Sequence, residues 1–137
     1  MKKNPSILIV DDDKALLKIL KVNLSLEGYD VVTASDGKSA LSLLEEYEPQ
    51  LIVLDVVMPG IDGFQVLNQV RRNSKVPIIM LTAKDEAVLA SLCLCKGADD
   101  YVRKPFDMLE LTARIRSKLR RYHRQFKVES PALAFMN

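Results

Sequence analysis

The chain has 137 residues, 48% hydrophobic and 28% charged, with a net charge of +2. That is the length of one domain of ~100–150 residues, and the composition excludes a disordered chain. No apolar run approaches the ~20 residues of a membrane span. The N-terminal Met-Lys-Lys-Asn-Pro leads into a run that soon meets Asp11, unlike a signal peptide, so a cytoplasmic location is the expectation.

Short runs rich in Val and Ile alternate with longer segments of 3.6-residue periodicity. Ile7 to Val10 reads as a buried strand, followed by a helix over 14–27 with Leu16, Leu17, Leu20 and Leu24 on one face and Gly28 at its C-cap. Asp30 to Thr33 is a second strand, Asp36-Gly37 a turn, and Lys38 to Glu46 a second helix. Pro49 precedes strand Leu51 to Leu54. A loop through Met58-Pro59-Gly60 and Asp62-Gly63 leads to a helix over 64–72. Val76 to Leu81 is a strand, Asp85 to Lys96 a helix stopped at Gly97, and Asp100 to Arg103 a short strand. Asp107 caps a last helix carrying Met108, Leu111, Ile115, Leu119 and Tyr122 on one face. Five such units predict an α/β domain: a doubly wound, five-stranded parallel sheet with helices on both sides. The expected domain covers 5–124, with 125–137 as a tail or the start of a linker.

Cys93 and Cys95 point ~200° apart on a helix and read as two small apolar residues, not a metal or disulfide pair. A single histidine, His123, argues against a zinc site or a serine hydrolase of the usual kind. Charge is unevenly spread. Residues 1–102 hold 11 Lys/Arg against 15 Asp/Glu, whereas residues 103–127 hold 9 against 2. The basic C-terminal segment reads as a solvated helix face, or as a contact for nucleic acid or a partner domain.

In an open parallel sheet the site lies at the carboxyl ends of the strands. Asp11, Asp12 and Asp13 follow the first strand, Asp55 the third, Thr82 and Ala83 the fourth, and Lys104-Pro105 the fifth. Individually these read as a helix cap, a loop acid, a strand end and a solvated charge. Together, three carboxylates at one edge repel unless protonated or bound to a cation. Oxygen-only ligands favour Mg2+, which keeps waters and takes one or two carboxylates plus phosphate oxygens. A cation, a lysine and a hydroxyl around one carboxylate suit phosphoryl transfer onto it.

Ile-Leu-Ile-Val-Asp11-Asp12-Asp13, Asp55-Val-Val-Met-Pro-Gly-Ile-Asp62-Gly63, Leu-Thr82-Ala83 and Tyr101-Val-Arg-Lys104-Pro105-Phe106 resemble the bacterial response-regulator receiver domain over roughly 5–122. The resemblance implies a flavodoxin-like strand order 2-1-3-4-5. It implies that Asp55 accepts a phosphoryl group from a phosphohistidine on a sensor histidine kinase, and that the chain is no enzyme but a phosphoacceptor aiding its own reaction. Asp12 and Asp55 would hold Mg2+, with Asp11 acting through water and the Val57 carbonyl completing the set. Lys104, with a cis bond to Pro105, and the Ala83 amide would bind the phosphoryl oxygens. Thr82 and Tyr101 would be the switch pair.

Leu-Thr-Ala-Lys84-Asp-Glu, Gly-Ala-Asp99-Asp100-Tyr and Glu110-Leu with Ala113-Arg114-Ile-Arg116 resemble receivers of the winged-helix transcription-factor class, which implies a transcriptional output and a phosphorylation-dependent homodimer through the fourth helix, fifth strand and fifth helix. Asp99, Asp100, Glu110 and Arg114 fit its charge pairs. Ala90, Cys95 and Ser117 depart from them, standing where a base, an acid and a base are usual. The Leu92-Cys93-Leu94 run implies either a more apolar face or core packing. No DNA contact is assigned to this chain and no membrane contact is expected. Val57 and Lys84, neither able to orient a hydrolytic water, imply a slowly lost phosphoryl group. A haloacid-dehalogenase-like phosphatase and a flavin carrier fit poorly; a degenerate receiver serving as an interaction module is the nearer alternative.

Overall fold

The computed structural model describes residues 5–83 and 87–127, with side chains described for 5–83 and 91–121. Five strands, β1 (Ser6–Val10), β2 (Asp30–Ala34), β3 (Leu51–Asp55), β4 (Ile78–Thr82) and β5 (Asp100–Arg103), alternate with five helices. These are α1 (Lys14–Leu26), α2 (Gly37–Glu46), α3 (Gly63–Asn73), α4 (Ala87–Cys95) and α5 (Met108–Lys127). All strand pairs are parallel, in the order β2-β1-β3-β4-β5. The doubly wound, flavodoxin-like expectation is borne out.

Every residue of β3 and β4 is buried, as a sheet covered on both faces requires. Alternate side chains feed two cores. Leu8, Val10, Ile52, Leu54, Ile78 and Met80 pack with residues of α2, α3 and α4, including Cys93. Ile7, Ile9, Val53, Ile79, Leu81 and Val102 pack with Leu17, Leu20 and Leu24 of α1 and Leu111, Ile115 and Leu119 of α5. The molecule therefore has an α2–α3–α4 side and an α1–α5 side.

Local chemistry sets the boundaries. Asp13 caps α1, its Oδ1 accepting from the Ala15 and Leu16 amides at 3.1 Å, and Gly28 follows the helix at φ 97°. Asp62 and Gln65 form a reciprocal capping box on α3. Asp107 Oδ1 accepts from the Leu109 amide at 2.8 Å. The fourth strand begins at Ile78 rather than Val76. Pro77 has no N–H to donate, and it lends only its carbonyl, to the Ile52 amide at 2.9 Å. The fourth helix is described from Ala87, so its expected start at Asp85 lies outside the described residues. α5 runs through the boundary expected at 124, and residues 128–137 lie outside the described set.

Of the two cysteines, Cys93 is in the core and Cys95 is exposed, as opposite helix faces demand. In the same run Leu92 and Leu94 are exposed and flank the buried Cys93, so the core-packing reading holds for Cys93. No described helix is long and apolar enough to cross a membrane.

Candidate functional site

The carboxyl edge of the sheet brings the predicted residues together. Asp55 ends β3 in register with Leu81, one residue before Thr82. Asp11 follows β1, its amide donating to the Ala34 carbonyl at 3.1 Å. Lys104 follows β5, its amide donating to the Thr82 carbonyl at 2.7 Å. Main-chain bonds thus fix the end of β1 to that of β2 and the end of β5 to that of β4 before any side chain acts.

The side chains converge on that frame. Asp11, Asp12 and Asp55 each place a carboxylate oxygen within 4.8 Å of the others. Asp11 is fully buried and Asp55 is 5% exposed, while Asp12 is exposed. Lys104 Nζ lies 2.7 Å from Asp11 Oδ2 and 3.3 Å from Asp55 Oδ2. Asp11 Oδ1 also accepts from the Asp13 amide at 2.9 Å. The Val57 amide donates to Asp55 Oδ1 at 3.4 Å.

These contacts set the charge states. Burial, then the neighbouring Asp11 carboxylate, pushes the Asp55 carboxyl up to about 6; Lys104 and the Val57 amide offset only part of this. Burial pulls the Lys104 ammonium down, but the bond to Asp11 and the charge of Asp55 outweigh it and hold the group above its ordinary value. One lysine therefore faces two buried acids and an exposed third. Three hard oxygen donors with a net negative charge fit a divalent cation of the Mg2+ kind.

Thr82 supplies an independent test of fit. It is fully buried at the end of β4, and its Oγ1 finds no hydrogen-bond partner among the described residues. A buried hydroxyl is normally paired, so this edge is short of a polar group. Thr82 lies on the same sheet face as Met80, whose partner on β5 is Tyr101. Tyr101 packs half-buried against the α2–α3–α4 core, so the two residues of the expected switch share a face on adjacent strands. Ala83 and Val57 are exposed beside the site. Lys84 lies outside the described residues.

Two residues with positioning roles were not legible from sequence, one beneath the site and one at the opposite end of the sheet. Gly63 begins α3 directly beneath the site. A Cβ there would collide with the Asp55 carbonyl and come within 2.8 Å of Val56 Cα, so only glycine lets α3 start where the Asp55 backbone needs it. The sequence marks Asp62-Gly63 only as a loop. Arg71, near the end of α3, is the second. Its Nε donates to the Gly97 carbonyl at 2.8 Å, its Nη1 to the Val76 carbonyl at 2.7 Å, and its Nη2 to Asp99 Oδ2 at 2.8 Å. Asp99 Oδ2 also accepts from the Ile78 amide at 2.8 Å. The pair ties α3, the start of β4 and the turn after α4 together. No motif announces it, because Arg71 and Asp99 are 28 residues apart.

The charges expected to serve a dimer are paired within the chain. Asp99 binds Arg71, Asp100 meets Arg114 at 2.9 Å, and Arg114 meets Glu110 at 3.3 Å.

A doubly wound parallel sheet with acids, a lysine and an orphan hydroxyl at one carboxyl edge has the architecture of a signalling receiver module. Residues 7–116 match the family model of the response regulator receiver domain, and the chain belongs to that family. It is a receiver domain of a two-component response regulator. The chain is similar to the receiver domain of the Francisella response regulator 1452, with 37% identity over 86% of this chain and 98% of that one, at a TM-score of 0.82. It is also similar to the BeF3-activated N-terminal receiver domain of Klebsiella pneumoniae RstA, with 32% identity over 84% and 98% of the two chains, at a TM-score of 0.80. NtrX from Brucella abortus, solved in complex with ADP, shares 27% identity over 93% of this chain but only 30% of its own, at a TM-score of 0.87.

Proposed function

We propose that Asp55 is the phosphoacceptor of a phosphorylation-driven switch, fed by a sensor histidine kinase and controlling an output that the winged-helix resemblance makes transcriptional. The carrying observation is the convergence at Asp55, with two further acids, a lysine 3.3 Å away and an unpartnered buried hydroxyl on the next strand. A carboxylate oxygen of Asp55 attacks phosphorus, the P–N bond of the phosphohistidine breaks, and its electron pair returns to the imidazole. The product is an acyl phosphate on Asp55. The chain is consumed as a substrate in each cycle and acts on no separate one.

Mg2+ held by Asp12, Asp55 and the Val57 carbonyl, with Asp11 acting through water, would supply positive charge against the incoming phosphoryl oxygens. The chain's own residues do the rest. Lys104, already between Asp11 and Asp55, turns its ammonium to the phosphoryl oxygens. The Ala83 amide and the Thr82 hydroxyl become donors to the same group. Thr82 gains a partner only in the phosphorylated state, so the phosphoryl group favours whichever arrangement brings the hydroxyl forward. Tyr101, on the same face, fills the space behind it and carries the change to the α4–β5–α5 surface. A coupling of ~1–3 kcal/mol is typical of such links.

The test is incubation with acetyl phosphate and Mg2+ followed by intact-mass analysis. One added phosphoryl group, absent in Asp55→Asn and when Mg2+ is chelated, is expected. Beryllofluoride, which activates the RstA receiver, should protect the parent against thermal unfolding but not Asp55→Asn. A parent that takes up neither group would instead be an interaction module.

A further inference from the structure

A groove of about 680 Å³ runs between α2 and α3 at the opposite end of the sheet from Asp55. Leu41 and Leu44 of α2 and Val70 and Val76 form its apolar walls, and Glu45 and Glu48 stand exposed on its rim. Gln50 lines it too, and Gln50 Oε1 is buried without a hydrogen-bond partner among the described residues. No lysine or arginine lines the groove; Arg72 and Lys75 are near it in sequence but outside the lining. A trough of mixed polarity, with Gln69, Asn73 and Ser74 beside the apolar walls, two carboxylates on its rim and a buried acceptor lacking a donor among the described residues, suits a segment that combines apolar side chains with guanidinium groups.

The chain itself displays such a segment. Leu109, Ala113, Arg116 and Arg120 are spaced 4, 3 and 4 residues apart on α5, so they form one stripe within about 60° of arc. All four are exposed, with Leu109 at 79%. The stripe is apolar at its first half and cationic at its second; its one ion pair among the described residues, Arg116 to Glu27, is long at 3.7 Å. It faces away from Leu111, Ile115 and Leu119, which pack on the sheet. α5 lies on the α1–α5 side and the groove on the other, so a chain cannot place its own α5 in its own groove.

We propose that the α2–α3 groove docks α5 of a second copy, with Leu109 and Ala113 on the apolar walls and the Arg116 and Arg120 guanidiniums at Glu45, Glu48 and Gln50. The two surfaces differ, so the contact is heterologous and propagates head to tail unless an end is blocked. It is small, so a dissociation constant on the order of 100 µM is expected. Its charges are exposed, so it weakens as salt rises through the range where the Debye length falls below ~10 Å.

The test is sedimentation velocity of the full chain carrying Asp55→Asn, which keeps the outcome independent of phosphorylation. At low salt the average mass should rise with concentration past that of a dimer, and roughly 0.3 M salt should suppress the rise. Glu45→Lys with Glu48→Lys, or Leu109→Ser with Arg120→Gln, should each leave monomers with an unchanged melting temperature. An equimolar mixture of those two variants retains one intact groove and one intact helix, and should give a heterodimer that grows no further. A parent monomeric at all concentrations and low salt would overturn the proposal. So would association that stops at a dimer, persists in either variant, or fails to return in the mixture.

Discussion

Replacing Arg71 tests whether one side chain fixes the α4–β5 turn. In Arg71→Met an unbranched apolar side chain of similar reach remains. What disappears is three short charge-assisted bonds, to the Gly97 and Val76 carbonyls and to Asp99, and a longer one of 3.4 Å to the Ser74 carbonyl. A bond to a charged partner contributes ~1.5–3 kcal/mol when dry, and an exposed ion pair ~0–1 kcal/mol. The Arg71 side chain is 20% exposed and that of Asp99 40%, so the Asp99 bond belongs near the lower figure and the carbonyl bonds between the two. The sum is a loss of about 2–3 kcal/mol. At ~3–5 °C per kcal/mol for a domain of this size, the melting temperature should fall by about 10 °C.

Equilibrium unfolding in urea reads the loss, and amide exchange locates it. The Ile78 amide, which donates to Asp99 Oδ2, should exchange faster in Arg71→Met, whereas amides of β1 should slow down or speed up only with global stability. Arg71→Lys should recover less than half, because one ammonium cannot span carbonyls on two segments as a planar fork does. A change below ~0.5 kcal/mol in Arg71→Met, within the range of ordinary surface substitutions, would refute the reasoning.

In the metal-free protein Asp55 titrates near 6, against 3.8 for a free carboxyl. The native state therefore holds a proton that the unfolded state has lost, and stability should fall as pH rises between those values and level off above them. Mg2+ must displace that proton, so calorimetric affinity at pH 5 should be ~10-fold below that at pH 7.5, and equal affinities would refute the assignment. Thr82→Val removes an unpaired buried hydroxyl at constant shape, so the metal-free protein should gain about 1 kcal/mol in thermal unfolding while losing coupling to phosphorylation. Gly63→Ala forces a Cβ into the Asp55 backbone and should cost ~3 kcal/mol or more in urea unfolding. Val57→Asn places a water-orienting amide at an exposed position beside Asp55, and decay of the phosphorylated protein after donor removal should quicken ~10-fold, a barrier change of ~1.4 kcal/mol.

The residues that hold chemistry were legible because they act where strands end. Asp11, Asp55 and Thr82 each follow an apolar run and Lys104 follows the short strand Asp100 to Arg103, and a parallel sheet must bring such ends to one edge. Strand order came from the resemblance, since alternation of strands and helices does not distinguish which neighbour each strand takes. Element ends shifted where a single group decides them. Pro77, which cannot donate, delayed β4, and Asp62 with Gln65 started α3 at Gly63. The Asp62-x-x-Gln65 spacing carried that second signal in plain view.

The contacts hidden from sequence are those made between distant elements by side chains of ordinary type. Arg71 resembles any basic residue in the last turn of a helix, where cations are common. Its three closest acceptors lie 5, 26 and 28 residues away, and none has a periodicity that points back. The same holds for Gln50, whose buried oxygen becomes notable only once α2 and α3 stand on either side of it. Charge asymmetry is an intermediate case. Composition shows an acidic body and a basic C-terminal segment, but only the layers place the acidic rim and the basic stripe on opposite sides of the sheet. That separation forbids their meeting within one chain, which is why the docking proposed above calls on a second copy.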